Sequence, residues 1–378
     1  MDITITKKNQ RTLVYSIFHL NLAYSSIPEE KRGEVIEKCY WPLLRLIESG
    51  LPLAIETPGY TLEQIKKLDA GWLKRFKKLL EEGKTELVGS GYMQIIGPLV
   101  PAKVNEANFF WGNKIYKDLL GIVPNVAFIN EHTFSRGMVD LYKEAGYQTI
   151  VMDWNNPYRF NQDWKREWQF MPQIALGIKS KLPVIWSNTV SFQKFQRYTH
   201  SEIDEEEYLN YVDNIVALGK GGYFPVYVGD TEIFDFRPSR YHTEAPMGEH
   251  PEWNKIRSIL VSLRSRGCTF VLPSQVLKTR DFKKAKLLDL CTAEQPIPVK
   301  KQEKYTSIRW ALAGRNDLLV NTLCYRLFGK IKKSGVKISD KKFKELCYYW
   351  GSDFRTHITE ERFSRLLLDL KALAGEYE

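Results

Sequence analysis

The stretch VAFINEHTFSRGMVDLYKEAGYQTIVMDW, residues 126–154, decides the fold of this chain. Its apolar run at Val126–Ile129 predicts a strand, and Arg136–Ala145 has the apolar spacing of a helix closed by Gly146. A second strand is predicted at Thr149–Met152. A strand, a helix and another strand in this order predict two parallel strands joined by a crossover helix.

The same alternation extends along about the first 280 residues. Further strands are predicted at Leu13–Phe18, Leu53–Glu56, Thr85–Gly89, Val184–Trp186, Tyr223–Val228 and Thr269–Leu272. Helices are predicted at Glu30–Glu48, Thr61–Glu82, Val104–Leu120, Glu205–Leu218 and Glu252–Arg266. This α/β pattern, with roughly seven or eight parallel strands, favours a closed barrel over the alternative of an open doubly wound sheet.

A polar, basic and proline-bearing segment precedes the last fifth of the chain. We therefore predict a barrel over residues 1–290, a linker over residues 291–304 and a helical region over residues 305–378. The predicted helices of that last region are Ser307–Lys332, Asp340–Tyr349 and Thr359–Ala374. So short a region buries little apolar surface by itself, so we expect it to pack on the barrel.

The composition excludes several classes of protein. Hydrophobic residues make up 43% of the 378 residues, which is too many for a disordered chain. Since no run of 18 apolar residues occurs, we expect no membrane-spanning helix. The polar start MDITITKKNQ lacks the pattern of a secretory signal, and the five cysteines form no CxxC pair. Both features predict a cytoplasmic protein with reduced thiols.

The positive charge of the chain is uneven. The formal net charge is +10, and the residues from Lys300 onward carry 17 basic and 10 acidic side chains. Such an excess is compatible with binding to an anionic polymer. However, the lysines alternate with apolar positions as on amphipathic helices, so we interpret them as a solvated helical surface and do not expect nucleic-acid binding.

Parallel barrels carry their chemistry at the carboxyl ends of their strands. Glu131 and Asp230 both follow predicted strands directly. A facing pair of carboxylates is what the cleavage of a glycosidic bond needs, because one attacks or acts as base and the other protonates the leaving oxygen. Taken singly, each could instead serve as a helix cap or an ion-pair partner.

Five segments taken together resemble glycoside hydrolase family 57, a family of α-glucan-active enzymes that includes amylases, glucanotransferases, branching enzymes and α-galactosidases. They are FHLNLAY (18–24), ELVGSGYMQIIGPLVP (86–101), VAFINEHTFSRGMVDLYKEAGY (126–147), YVGDTEIF (227–234) and LCYYWGSDF (346–354). In chain order they are similar to the family's HAHLPY, Tyr-x-His, WLPE, DAELF and SSDW segments. The resemblance implies an incomplete parallel (β/α)7 barrel followed by a C-terminal helical region packed on it. It also implies retention of anomeric configuration without a metal or cofactor.

The resemblance implies roles for individual residues. Glu131 would be the nucleophile of a double displacement, and Asp230 would be its general acid and then its base. His19 and Asp353 would contact the sugar at the point of cleavage. The other residues expected to bind substrate are Asn21, Tyr92, Gln94, Trp154, Trp186, Glu232 and Trp350.

This chain departs from the family pattern at positions that line the sugar site. Asn21 and Gln94 stand where the family has histidines, and Asn130 replaces the proline before the nucleophile. A changed lining with both carboxylates retained implies the same chemistry on an α-linked glycan other than starch. Whether water or another sugar accepts the glycosyl group stays open.

Two alternatives from other classes also stay open. A metal-dependent polysaccharide deacetylase would need closely spaced metal-binding histidines, and the six histidines contain no HxxxH pair. A non-catalytic carbohydrate-binding protein on the same fold is the second alternative, and the retention of both carboxylates argues against it.

Overall fold

The computed structural model describes residues 12–24, 26–219, 221–237, 245–278, 284–300, 306–356 and 359–375. The ends of the chain and the final part of the predicted linker, residues 301–304, lie outside the described residues. Among the described helices, none has the length and hydropathy needed to cross a lipid bilayer.

The strands of the molecule belong to one sheet. They are β1 (Leu13–His19), β2 (Ala54–Glu56), β3 (Glu86–Gly89), β4 (Val126–Phe128), β5 (Thr149–Asp153), β6 (Gln173–Leu176), β7 (Lys181–Ser187), β8 (Tyr223–Asp230), β9 (Thr269–Phe270) and β10 (Leu287–Leu288). Their order is β10-β6-β7-β5-β4-β3-β2-β1-β8, and β9 pairs with β1. The seven strands from β8 round to β7 are all parallel, and β6 is antiparallel to β7.

The sheet curves round a shared interior. The Tyr15 hydroxyl on β1 donates a hydrogen bond to the Trp186 carbonyl on β7, and the His19 ring lies 4.3 Å from the Phe128 ring on β4. These contacts join strands that are not neighbours in the sheet order. The predicted incomplete parallel barrel is therefore confirmed.

Helices alternate with the strands of this sheet, and three further helices form the C-terminal part of the chain. They are α1 (Arg32–Val35), α2 (Trp41–Glu48), α3 (Gly59–Leu68), α4 (Ala70–Glu81), α5 (Ala102–Leu120), α6 (Arg136–Glu144), α7 (Asn155–Phe160), α8 (Thr189–Thr199), α9 (Glu205–Gly219), α10 (Glu252–Ser265), α11 (Pro273–Lys278), α12 (Asp317–Lys333), α13 (Lys341–Tyr349) and α14 (Glu360–Ala374). A π-helical turn at Ile36–Tyr40 joins α1 to α2. Gly121, with φ 78°, closes α5 as predicted.

One predicted helix, Thr61–Glu82, is two helices in the structure. Asp69 separates α3 from α4 because its backbone is extended, with φ −152° and ψ 83°. Its side chain accepts hydrogen bonds from the Trp72 backbone N–H at 2.9 Å and from the Trp41 indole at 2.7 Å. Asp69 is thus the N-cap of α4, and the single long helix was wrong at this residue.

The barrel interior changes from apolar to polar along the strands. Its apolar part contains Tyr15, Ile17, Ala54, Val88, Val126, Phe128, Val151, Ile185, Tyr223 and Val228, contributed by seven strands. The last residues of five strands are instead His19, Glu56, Asp153, Ser187 and Asp230. Because parallel strands end on the same side of a barrel, these polar side chains gather at one mouth.

The C-terminal helical region packs on the barrel, as predicted. Helix α13 lies against α5, and α12 contacts both α13 and α14. The turn after α13 reaches the segment that follows β3, since the Ser352 backbone N–H donates to the Gln94 carbonyl at 2.7 Å. The described part of the predicted linker also touches the barrel, where the Pro298 carbonyl accepts a hydrogen bond from the Phe134 N–H at 3.0 Å.

Candidate active site

Glu131 lies at the mouth of the barrel, one residue into the turn that follows β4. Its backbone is left-handed, with φ 54° and ψ 12°, a conformation that is costly for a residue with a side chain. The carboxylate accepts a hydrogen bond from the Ser352 hydroxyl at 3.0 Å, and the backbone carbonyl accepts one from the Lys300 N–H at 3.4 Å. Three distant parts of the chain therefore meet at Glu131.

Asp230 is the last residue of β8 and is half-buried. The Tyr227 hydroxyl donates a hydrogen bond to its carbonyl at 2.6 Å, and Asp230 pairs in register with His19 on β1. Strands β1, β2 and β3 separate β8 from β4, so the curvature of the sheet sets Asp230 on the opposite side of the mouth from Glu131.

The charges around Glu131 act on its ionisation. Burial raises the pKa of the Glu131 carboxyl above its ordinary value, and the negative charge of Asp353 raises this pKa further. The hydrogen bond from Ser352 lowers the same pKa, whereas the charge of Asp230 raises it. Asp230 is thus one of the charged groups whose field reaches the Glu131 carboxyl.

Asn21 is hydrogen-bonded to two other residues that the sequence predicted as substrate-binding, Gln94 and Asp353. Its amide nitrogen donates to the two carboxylate oxygens of Asp353 at 3.0 and 3.2 Å, and it also donates to the Gln94 side-chain oxygen at 3.2 Å. The Asn21 oxygen accepts the Ala23 N–H at 3.0 Å. The structure therefore brings Asn21, Gln94 and Asp353 together beside Glu131.

Glu232 lies below this cluster and is fully buried. One carboxylate oxygen accepts hydrogen bonds from the Asn21 backbone N–H at 2.6 Å and from the Tyr40 hydroxyl. The other oxygen is buried and has no hydrogen-bond partner among the described residues. Burial, together with the negative charge of Asp230, raises the pKa of Glu232 to about 7.

His19 is held by a carboxylate that the sequence analysis did not single out. Its Nδ1 forms a hydrogen bond of 2.7 Å with a carboxylate oxygen of Glu56 on β2. The His19 Nε2 atom is buried without a partner in the described part of the chain. Glu56 ends a strand just as Asp230 does, and this position is the signal that could have identified it.

The predicted sugar-stacking tryptophans on the barrel are covered by other rings. Trp154 and Trp186 are each 1% exposed, and their ring centroids lie 5.1 Å apart. Tyr158 stacks on Trp154 at 4.9 Å. In this structure the rings of both tryptophans pack against other aromatic rings. Their role as substrate-binding residues stays a prediction.

Tyr92 and Trp350 are also buried, and a cationic side chain lies over the ring of each. The Lys344 ammonium lies 4.8 Å from the Tyr92 ring centroid, and the Arg355 guanidinium lies 4.9 Å from that of Trp350. Trp350 is 1% exposed and Tyr92 is 7% exposed. Both rings pack between the barrel and the C-terminal helices, and their predicted contact with substrate stays untested.

Within the described residues, no group of three His, Cys, Asp or Glu side chains is arranged to hold a metal ion. The chemistry that the cluster itself supports is acid–base and nucleophilic chemistry by carboxylates.

Comparisons with known proteins identify the family of the chain. The model of the family described as glycosyl hydrolase family 57 matches residues 9–290. Alpha-amylase 1 of Dictyoglomus thermophilum is 25% identical over 209 residues, which are 55% of this chain and 29% of that protein. The chain thus matches less than a third of the length of this curated relative.

Solved structures share the fold over nearly the whole chain. The 4-alpha-glucanotransferase from Thermococcus litoralis has a TM-score of 0.69 at 12% identity, covering 97% of this chain and 60% of that one. The alpha-amylase AmyC from Thermotoga maritima has a TM-score of 0.66 at 15% identity, covering 97% and 95% of the two chains. At these identities the likeness concerns the fold alone.

Proposed function

The chain belongs to glycosyl hydrolase family 57, and from this premise we propose that it is a retaining glycoside hydrolase or transglycosylase that acts on an α-linked glycan. The observation that supports the proposal most is the placement of two carboxylates at one mouth, where Glu131 follows β4 and Asp230 ends β8. The charge of Asp230 acts on Glu131, and Glu131 is fixed by a hydrogen bond from Ser352.

In the first step, the Glu131 carboxylate attacks the anomeric carbon of the substrate. The bond from that carbon to the glycosidic oxygen breaks, and the proton of Asp230 passes to the departing oxygen. The products are a glycosyl ester on Glu131 and a free sugar or aglycone. The left-handed turn at Glu131 supports this role, because strained backbone collects at sites where a side chain must be held in one geometry.

In the second step, Asp230 acts as a base. It takes the proton of a water molecule or of a sugar hydroxyl, and the resulting oxygen attacks the anomeric carbon and releases the Glu131 carboxylate. Two inversions give net retention of configuration. Water as acceptor gives hydrolysis, and a sugar hydroxyl gives transglycosylation.

The residues around the carboxylates indicate how a sugar would be bound. Asn21, Gln94 and Asp353 form a connected set of amide and carboxylate groups that can exchange their mutual hydrogen bonds for bonds to sugar hydroxyls. Asn21 and Gln94 replace histidines of the family pattern, so we propose an α-linked glycan other than starch as the substrate.

The proposal is tested with the variants Glu131→Gln and Asp230→Asn against a panel of aryl α-glycosides, α-linked oligosaccharides and α-glycosyl fluorides. Both variants should reduce kcat on the aryl glycosides by about 10²–10⁴-fold or more, without a change in melting temperature large enough to unfold the protein. Asp118→Asn, which changes an exposed carboxylate on α5, is the matched control and should keep full turnover.

The glycosyl fluorides separate the two roles. Fluoride leaves without help from an acid, so Asp230→Asn should lose much less activity on the first step with a glycosyl fluoride than with an aryl glycoside bearing a poor leaving group. Glu131→Gln should be inactive on both. Near-normal turnover by either variant on every substrate would contradict the assignment.

The two alternative functions give different results in the same experiments. Stoichiometric zinc in the purified protein, with release of acetate from an acetylated glycan, would favour a deacetylase. Tight glycan binding that Glu131→Gln leaves intact, without turnover by the wild type, would favour a non-catalytic protein.

A further inference from the structure

The turn that carries Glu131 is strained at two consecutive residues. Glu131 and His132 have φ angles of 54° and 49°, in the left-handed region that favours glycine. The Thr133 N–H donates to the Asn130 carbonyl at 3.1 Å, so Glu131 and His132 are the two central residues of a tight turn. Turns with positive φ at both central positions are usually built from glycine, asparagine or aspartate. Since neither residue belongs to that group, contacts elsewhere must hold the turn.

The side chain of His132 supplies such contacts. It is fully buried, its Nδ1 lies 3.0 Å from the Asp153 backbone N–H, and its Nε2 lies 3.0 Å from the Ser187 hydroxyl oxygen. Because a backbone N–H only donates, Nδ1 is the acceptor and the ring proton resides on Nε2, which donates to Ser187. Both anchors end strands of the barrel, β5 and β7, which are rigid supports.

The charge state of His132 follows from its surroundings. Burial lowers the pKa of His132 well below its ordinary value, and the positive charge of Lys300 lowers it further. The ring is therefore neutral over the working pH range. Both nitrogens are engaged and no ring atom is exposed, so His132 cannot itself bind the sugar or pass a proton to it.

The other end of the turn is fixed to β3 and its continuation. The Asn130 amide donates to the Ser90 carbonyl at 3.0 Å, and the Ser90 hydroxyl donates to the Asn130 oxygen at 3.1 Å. The His132 ring also packs edge-on against Phe128, with centroids 4.6 Å apart. Glu131 thus sits at the tip of a turn whose two sides are tied to different strands.

We propose that His132 is the positioning residue that holds Glu131 in its left-handed conformation, with its carboxylate against Ser352 and facing Asp230. The inference rests on the proposed function, because it assigns a partner to the nucleophile of that reaction. It adds a residue whose contacts, and not its own reactivity, set the geometry of attack.

The test compares three variants at this site with a control. His132→Phe keeps a planar ring against Phe128 but removes both hydrogen bonds. His132→Asn keeps an oxygen able to accept the Asp153 N–H, and asparagine tolerates positive φ better than other side chains. Ser187→Ala removes only the second partner. Thr85→Val removes one buried hydrogen bond at the opposite end of the barrel, from Thr85 to the Leu53 carbonyl, and controls for general destabilisation.

The expected readout is kinetic, measured with the aryl α-glycoside or glycosyl fluoride that the wild type turns over. His132→Phe should lower kcat by about 10–100-fold with KM changed by less than about twofold, because a misplaced nucleophile slows the attack more than binding. The acid limb of its kcat/KM profile should move to lower pH, because Glu131 leaves its buried position beside Asp353. His132→Asn should recover most of the loss, and Thr85→Val should match the wild type in kcat and in the pH profile.

A His132→Phe variant that matches Thr85→Val in kcat and in its acid limb would overturn the proposal. If His132→Phe does not fold, Ser187→Ala decides: a loss in kcat of about 3–10-fold with unchanged KM supports the proposal, and wild-type kcat overturns it. Failure of the proposed function is distinguishable, because Glu131→Gln would then retain turnover. An inactive Glu131→Gln beside a fully active His132→Phe would reject the positioning role alone.

Discussion

At the scale of single residues, Ser352 and Asp353 act on Glu131 in opposite directions. The Ser352 hydroxyl stabilises the Glu131 carboxylate and lowers its pKa, whereas the negative charge of Asp353 raises it. Ser352→Ala should therefore move the acid limb of the kcat/KM profile to higher pH, and Asp353→Asn should move it to lower pH, because the nucleophile must be ionised. The pH profiles of both variants and of the wild type are the measurement. Shifts in the same direction would contradict this reading of the site.

The raised pKa of Glu232 leads to a second prediction, which concerns how the stability of the fold depends on pH. Its pKa is raised from 4.5 to about 7 in the folded protein, so the folded state keeps this proton at pH values where the unfolded state has lost it. The wild type should therefore lose stability as the pH rises from about 4.5 to about 7, and this contribution should level off above about pH 7. Glu232→Gln, which cannot ionise, should lack this decline. Thermal unfolding of both proteins across that range tests it, and a difference in melting temperature that does not change with pH would contradict it.

Residue by residue, the sequence located most of the cluster. Asn21, Gln94 and Asp353 were singled out by the family resemblance, Glu232 was singled out by its position beside Asp230, and the structure brings the four together. Tyr40, Glu56 and Ser352 were missed. Tyr40 lies in the π-helical turn between α1 and α2, and nothing in its local sequence indicates that its hydroxyl reaches Glu232. Such a contact depends on packing between elements, which local patterns do not encode.

At the scale of elements, Asp69 decides where one helix ends and the next begins. Asp69→Ala removes the cap of α4 and the hydrogen bond from the Trp41 indole, and it should cost about 1–2 kcal/mol of unfolding free energy. Asp118→Ala on α5, which loses only an exposed pair with Lys114, is the matched control and should change stability little. Chemical denaturation of the two variants measures the difference. Equal stabilities would show that the break between α3 and α4 does not depend on this cap.

Helix α8 and strand β6 are among the elements that the sequence analysis missed, and each was missed for a physical reason. Helix α8 (TVSFQKFQRYT) contains β-branched and polar residues at positions that weaken a helical pattern, and it depends on Asn188, whose side chain accepts the Ser191 N–H at 3.0 Å. Strand β6 is short and pairs antiparallel with β7 at one side of the sheet. Neither feature has strong periodicity, so both are set by the sheet they join.

At the scale of the whole molecule, the alternation of strands and helices predicted a parallel barrel, and the family resemblance implied that this barrel is incomplete, as the structure shows. The family resemblance drawn from five short segments is confirmed by the match over residues 9–290. Four of these segments lie at the ends of strands that are far apart in sequence, and a parallel barrel brings strand ends to one mouth. The fifth, residues 346–354, lies at the end of α13 and in the turn after it. The contact of the turn after α13 with Glu131 could be found only in the structure, because it joins residues that are 221 positions apart in the chain.

The central claim is that Glu131 attacks the anomeric carbon of an α-linked sugar. The most direct test is to incubate the wild type with a fluorinated glycosyl fluoride that slows the second step, and then to locate the covalent label by peptide mass spectrometry. The account predicts one glycosyl ester, on Glu131, in the wild type and no label in Glu131→Gln. A label on Asp230 or on another residue, or steady turnover of aryl α-glycosides by Glu131→Gln, would contradict it.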